Sequence, residues 1–123
     1  MNLEYIFKIV EKDEWNKSKE KGIYSGSSMD IKDGYIHFSE KEQIDETLKN
    51  YYSNKQNLIL LKVDASKLEN LLWEQASNGD MYPHLYSPLD IKNVEDELEL
   101  HLNEDGSHEI PEILKKYLFS SSG

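Results

Sequence analysis

Asp33-Gly34-Tyr35-Ile36-His37-Phe38-Ser39 is the stretch from which the rest of the chain is read. An Asp-Gly pair reverses the backbone at little steric cost, and the β-branched and aromatic residues behind it suit a half-buried strand over Tyr35 to Phe38. Side chains alternate along a strand, so Tyr35, His37 and Ser39 share one face while Ile36 and Phe38 enter the core. The segment Pro83-His84-Leu85-Tyr86 echoes this combination of imidazole, phenol and aliphatic groups.

Downstream, Ser39 with Glu42 reads as a capping box, and Ile44, Leu48 and Tyr51 recur at helical spacing through Tyr52. The start of that helix brings free N–H groups near the His37 face, which serves either an anion or ordinary capping. Leu58-Ile59-Leu60-Leu61-Lys62-Val63 is the pattern of a central strand covered on both faces. Asp64 to Leu68 reads as a capped turn. Leu71 to Gln75 reads as a strand with Leu72 and Glu74 opposite Leu71 and Trp73, and Asn78-Gly79-Asp80 as a turn. Pro83 and Pro88 argue for an ordered aromatic loop with short extended pieces from Met81 to Leu89. The alternation from Val94 to Leu102 predicts a strand near a sheet edge, Glu104-Asp105-Gly106 a turn, and Pro111 the first turn of a C-terminal helix.

Upstream, Leu3 to Val10 reads as a strand. Glu11 to Lys21 reads as a helix capped by Asp13, anchored by Trp15 and ended at Gly22. The loop Gly22 to Ser28 carries Tyr24 as an exposed aromatic, a ligand contact or a lid over the core. The order β-α-β-α-β-β-β-α predicts an α+β, mostly antiparallel single domain over residues 1–119, with 120–123 a disordered tail.

The chain has 123 residues, enough for one domain, and carries 14 lysines, no arginine and 24 acidic residues for a formal net charge of −10. That field repels phosphate backbones and anionic lipid, so neither nucleic acid nor a membrane is an expected partner. Without arginine, bound phosphate would depend on backbone N–H groups, helix N-termini or lysine. The absence of cysteine excludes disulfides, thiolate nucleophiles and Cys-ligated zinc. No signal-peptide profile or membrane-length apolar run is present, and the expected location is the cytoplasm.

Phosphate-loop, dinucleotide, nucleophile-elbow and metalloprotease motifs are all missing. The remaining candidates are His37, His84, Glu74 and the tyrosines Tyr24, Tyr35, Tyr82 and Tyr86. A neutral imidazole donates from one nitrogen and accepts on the other, which suits it to grip a hydroxyl or move a proton. Either histidine also serves as a satisfied structural group. Zinc on His37, His84 and Glu74 is conceivable, but the spacing is not diagnostic and no metal is assigned. His101 and His108 lie in acidic, solvent-facing sequence.

Trp15, Gly22-Ile23-Tyr24, the Asp33 to Ser39 stretch, Gln43, Leu58 to Leu61, Trp73-Glu74 and Tyr82-Pro83-His84-Leu85-Tyr86-Ser87-Pro88-Leu89 together resemble the DUF952 family of small bacterial proteins. The similarity runs from Tyr5 to about Leu102. The family carries no assigned activity, but its fold is similar to that of ADP-ribosyltransferases, which implies a split sheet with flanking helices and a cleft able to take a nicotinamide nucleotide. His37, Ser39, Glu74, His84 and Tyr86 match the family's motif positions, and Lys8 falls where related sequences carry His or Lys. Ser87 departs from the glycine usual after the tyrosine. NAD is the cofactor this resemblance implies. His37 would then orient the ribose, Tyr24 or Tyr86 would pack on nicotinamide, and Glu74 would stabilise positive charge.

Three readings therefore stand. The first is a His/Tyr-lined cleft binding a small molecule, with Tyr24, Ser39, His84 and Tyr86 as contacts. The second is an NAD-dependent ADP-ribosyltransferase-like enzyme with His37 and Glu74 catalytic. The third is a non-catalytic scaffold for protein contacts. Ligand, acceptor and oligomeric state are open.

Overall fold

The apolar run around Leu60 becomes the covered centre of the protein. The computed structural model describes residues 4–111. In chain order it has strand β1 (Tyr5–Glu11), helix α1 (Lys12–Lys21), β2 (Ile23–Tyr24), α2 (Ser28–Asp33), β3 (Ile36–His37) and α3 (Ile44–Tyr51). There follow β4 (Leu58–Asp64), β5 (Leu71–Gln75), β6 (Met81–Leu85), β7 (Leu89–Asp90), β8 (Val94–Leu102) and β9 (His108–Glu109). All strand pairs are antiparallel, in curled sheets ordered β1-β4-β8-β9, β2-β7 and β3-β6-β5. The chain is thus a mixed α+β single domain. Among the described residues no helix is long and apolar enough to cross a membrane.

Every residue of β4 is buried, as a strand flanked on both edges and both faces requires. Ile59, Leu61 and Val63 face one apolar cluster with Ile6, Val10, Trp15, Ile36, Phe38 and Leu85. Leu58 and Leu60 face the other, with Phe7, Ile9, Ile44, Leu48 and Leu100. The first cluster packs the β3-β6-β5 sheet and α1 against the central sheet; the second packs α3 on its back. A bridge in which Phe7 and Ser39 exchange backbone hydrogen bonds of 2.8 Å in both directions joins the two larger sheets.

Several local expectations are corrected. Asp13 lies inside the first turn of α1, whose N-cap is Glu11. The loop after Gly22 contains β2 and the short helix α2, and Gly34 ends α2 with φ of 89° rather than turning a hairpin. Ser39 does not cap α3. The helical run starts later, as a 3-10 turn at Lys41–Gln43, and Gln43 Oε1 accepts the Glu40 N–H at 2.9 Å. Tyr51 is exposed, and Leu48 with Ile44 carries the packing.

Met81 to Leu85 is a regular strand despite Pro83, and it is the middle strand of its sheet. The Phe38 N–H donates to the Pro83 carbonyl at 3.0 Å, where β3 ends. A residue in an antiparallel ladder turns its N–H and C=O to the same neighbour, so Pro83 faces Trp73 of β5 as a non-bonded pair. The missing N–H therefore falls where the β3 ladder has already finished. His108, expected to be solvated, is buried, with its Nε2 2.6 Å from the Lys55 carbonyl. The expected C-terminal helix beyond Pro111 and the tail lie outside the described residues.

Leu61→Ala removes a fully buried side chain from the shared centre. It should cost about 2–5 kcal/mol in urea unfolding. A midpoint equal to that of the parent protein would contradict the two-sided burial of β4.

Candidate functional site

The site is built around a buried carboxylate that the sequence reading passed over. Asp30 sits in the first turn of α2, where the Ser27 hydroxyl accepts its N–H at 3.1 Å and the Ser27 N–H donates back to Oδ2 at 2.9 Å, a reciprocal capping box. Gly26, at φ of 113°, leaves the space: a Cβ there would stand 2.8 Å from Asp30 Cβ. The carboxylate also receives Lys8 Nζ at 2.9 Å on Oδ2, the His37 N–H at 3.1 Å on Oδ1, and His37 Nδ1 at 2.6 Å on Oδ1.

Burial alone pushes the Asp30 carboxyl up. The hydrogen bond from His37, the charge of Lys8 and the Ser27 N–H outweigh it and hold the group well below the usual carboxylate range. Lys8 shares its face of β1 with Ile6 and Val10, so its stem lies in the core and Asp30 is its ion-pair partner, with a smaller contribution from the charge of Glu14. Burial pulls the Lys8 ammonium down, opposed by Asp30. With the carboxylate at 2.9 Å, the ionic pair is the state the geometry supports.

His37 has a carboxylate on both sides, since Asp33 Oδ2 stands 3.2 Å from its Nε2. A proton on either ring nitrogen therefore has an acceptor. His84 lies opposite His37 in the β3–β6 register, and their rings are 5.5 Å apart. His84 Nδ1 is 2.8 Å from Glu74 Oε1, and the Tyr86 hydroxyl donates to the same oxygen at 2.6 Å. Those two bonds, Tyr86 first, lower the Glu74 carboxyl, while the Tyr86 phenol is pushed up to about 12 chiefly by its bond to Glu74. With Nδ1 donating to Glu74, a neutral His84 keeps its lone pair on Nε2. Tyr35 ties the two halves together: its ring stacks on His84 at 4.1 Å and leans on His37 at 4.6 Å and on Tyr86 at 5.2 Å.

His37 and His84 both line a cleft of about 740 Å³ between the β1 edge of the central sheet, α2 and α3. Its walls include Tyr35, Ser39, Lys8 and Asp30. Glu74 and Tyr86 are not among the lining groups; they stand behind His84. Ser39 is buried, with Oγ 3.2 Å from the Thr47 hydroxyl. Tyr24, read as exposed, is buried at 1% exposure, edge-on to Trp15, and its hydroxyl has no hydrogen-bond partner among the described residues. The zinc arrangement of His37, His84 and Glu74 is not formed. Among the described residues no group of three His, Cys, Asp or Glu side chains is placed to hold a metal.

Of the residues singled out in the sequence, His37, His84, Glu74 and Tyr86 come together here, joined by Asp30 and Asp33, which were not singled out as site residues. The Ser27-x-x-Asp30 spacing was the available signal for the first.

The fold and this site define a small α+β protein with paired imidazoles on a cleft. The chain belongs to the family described as "Protein of unknown function (DUF952)", which matches residues 9–97. It is similar to protein CC0527 from Caulobacter crescentus. The crystal structure of that protein is 39% identical, covers 90% of this chain and 98% of that one, and superposes with a TM-score of 0.86. A crystal structure of its double mutant gives the same values. Its solution structure, at 41% identity over 84% of this chain and 90% of that one, gives 0.76. Among curated proteins none matches the chain.

Asp30→Asn keeps the shape and removes the charge, leaving Lys8 buried without its counter-ion. It should cost about 3–5 kcal/mol near neutral pH. Because the folded carboxyl is held low, its contribution is present above the unfolded value of about 3.9 and is lost as pH falls through the folded one. Thermal melts should therefore show the gap between parent and variant closing below about pH 4, and a gap independent of pH would contradict the assignment.

Proposed function

We propose that the chain binds a small molecule in the cleft between His37 and His84. The observation that carries this reading is the convergence of two imidazoles, 5.5 Å apart and each held by a carboxylate, on one cleft of about 740 Å³. Side chains fixed in this way lose little entropy when a ligand arrives, which favours recognition. His84 offers an acceptor at Nε2, Tyr35 stands beside it on the wall, and His37 adds a half-buried ring held between Asp30 and Asp33.

Transfer from NAD on an ADP-ribosyltransferase-like fold is the second reading, supported by the cleft opening between separate sheets and by the aromatic group beside a histidine. Two features weigh on it. Glu74, the acid matched from the family motif, serves His84 from behind, so Glu74 acts on the cleft through the orientation of the imidazole. The protein also has no arginine to clamp a pyrophosphate. In the third, scaffold, reading both imidazoles would be sealed structural groups, whereas His37 is only half-buried and both rings border the cleft.

A thermal-unfolding screen of nucleotides, nucleosides, sugars and amino-acid-derived metabolites at millimolar concentration tests the cleft. A genuine ligand at a hundred times its Kd stabilises by about 2.7 kcal/mol. That shift should disappear in both His37→Ala and His84→Ala, with circular dichroism confirming that each folds. A ligand whose shift survives both substitutions binds elsewhere and sinks the assignment. For the transferase reading, calorimetry with millimolar NAD should give heat and nicotinamide release; neither signal appearing removes it.

A further inference from the structure

We propose that the ligand of this cleft carries a positively charged nitrogen, received at the inner end where Glu14, Tyr24 and Tyr52 meet. The inference rests on the binding role given to the cleft and names the class of molecule that fills it.

Five carboxylates line the cleft, Glu11, Glu14, Asp30, Asp33 and Glu46, against two lysines, Lys8 and Lys55. Neither lysine is left to meet an anion. Lys8 is bound to Asp30 at 2.9 Å, and Lys55 approaches Glu11 at 3.9 Å. Asp33 is spent on His37. Glu14 and Glu46 remain: Glu46 is exposed on α3, whereas Glu14 is half-buried on α1, and among the described residues no cation stands within ion-pair distance of it. Burial, then the nearby charges of Glu11 and Asp30, raise its carboxyl against the weaker opposing charges of Lys8 and Lys55, so a cation arriving there relieves both desolvation and repulsion.

The independent observation is Tyr24. Its hydroxyl is buried on the cleft wall with no partner among the described residues, a costly state for a phenol unless a ligand completes it. Burial, followed by the charges of Asp30 and Glu14, keeps that phenol protonated. An ammonium or amidinium group has several N–H donors in fixed directions. One can go to the Glu14 carboxylate and another to the Tyr24 oxygen, on a wall that Tyr52 also lines. The same surplus of negative charge, with no free lysine or arginine beside it, repels phosphorylated ligands.

Matched pairs isolate the charge: putrescine against 1,4-butanediol, and tyramine against tyrosol, each titrated by calorimetry and by thermal unfolding at pH 7.5. The amine of at least one pair should raise Tm at millimolar concentration while its alcohol does not. Glu14→Gln and Tyr24→Phe should each weaken that amine about 10-fold or more, the loss of one hydrogen bond to a charged group. Glu104→Gln, an exposed site removing the same net charge, should leave it unchanged. Alcohols that match their amines, amines that bind equally to Glu14→Gln, or no amine binding at all each overturn the proposal. If AMP or sugars bind with dependence on His37 and the amines do not, the cleft stands and only the cation class falls. If nothing in either set binds, both fall.

Discussion

The rest of the molecule depends on a single desolvated carboxylate. Asp30 lies at 2% exposure, which no carboxylate tolerates without compensation, and it is surrounded by donors from three separate elements: Lys8 on β1, Ser27 at the head of α2 and His37 on β3. Its backbone carbonyl also closes α2 by accepting from Gly34 and Tyr35 at 2.9 and 3.2 Å. Remove that side chain and Lys8 is left in an apolar core, α2 loses its box and His37 loses the contact that fixes its ring. One residue thus couples the central sheet to the wall of the cleft.

The second imidazole is held by the same device on a different sheet. Glu74 on β5 reaches across to His84 on β6, and Tyr86 shares the carboxylate oxygen. The β3–β6 register then sets the two histidines opposite each other, with Tyr35 wedged against both rings. Polar groups so fully occupied at their outer ends cannot swing freely, and a pocket of this kind selects ligands by shape and charge with little rearrangement. The excess of carboxylates around it gives the charge part of that selection its sign.

Much of this was legible in the chain. The alternation in Tyr35 to Ser39 gave the correct faces, because Ile36 and Phe38 must enter the core while their polar neighbours cannot. The unbroken Leu58 to Val63 run gave the central strand, whereas the contact of Glu74 with His84 was not legible, because it depends on the register between β5 and β6. Asp30 was not recovered, since six-residue α2 has little helical propensity of its own and is held by tertiary bonds to Lys8 and His37. Pro83 misled because its prohibition applies to a ladder position that needs an N–H, and its position does not. Tyr24 was read as exposed from its glycine and serine neighbours, yet β2 pairs with β7 and turns the ring inward onto Trp15.

The carboxyl carbon of Asp30, followed by NMR as the folded protein is acidified, tests the central claim most directly. The account predicts a resonance that stays that of an ionised carboxylate through the range in which ordinary aspartates titrate, with the Lys8 side-chain signals changing only when Asp30 finally protonates or the protein unfolds. A midpoint at or above about 4, the value of an unperturbed aspartate, would contradict it.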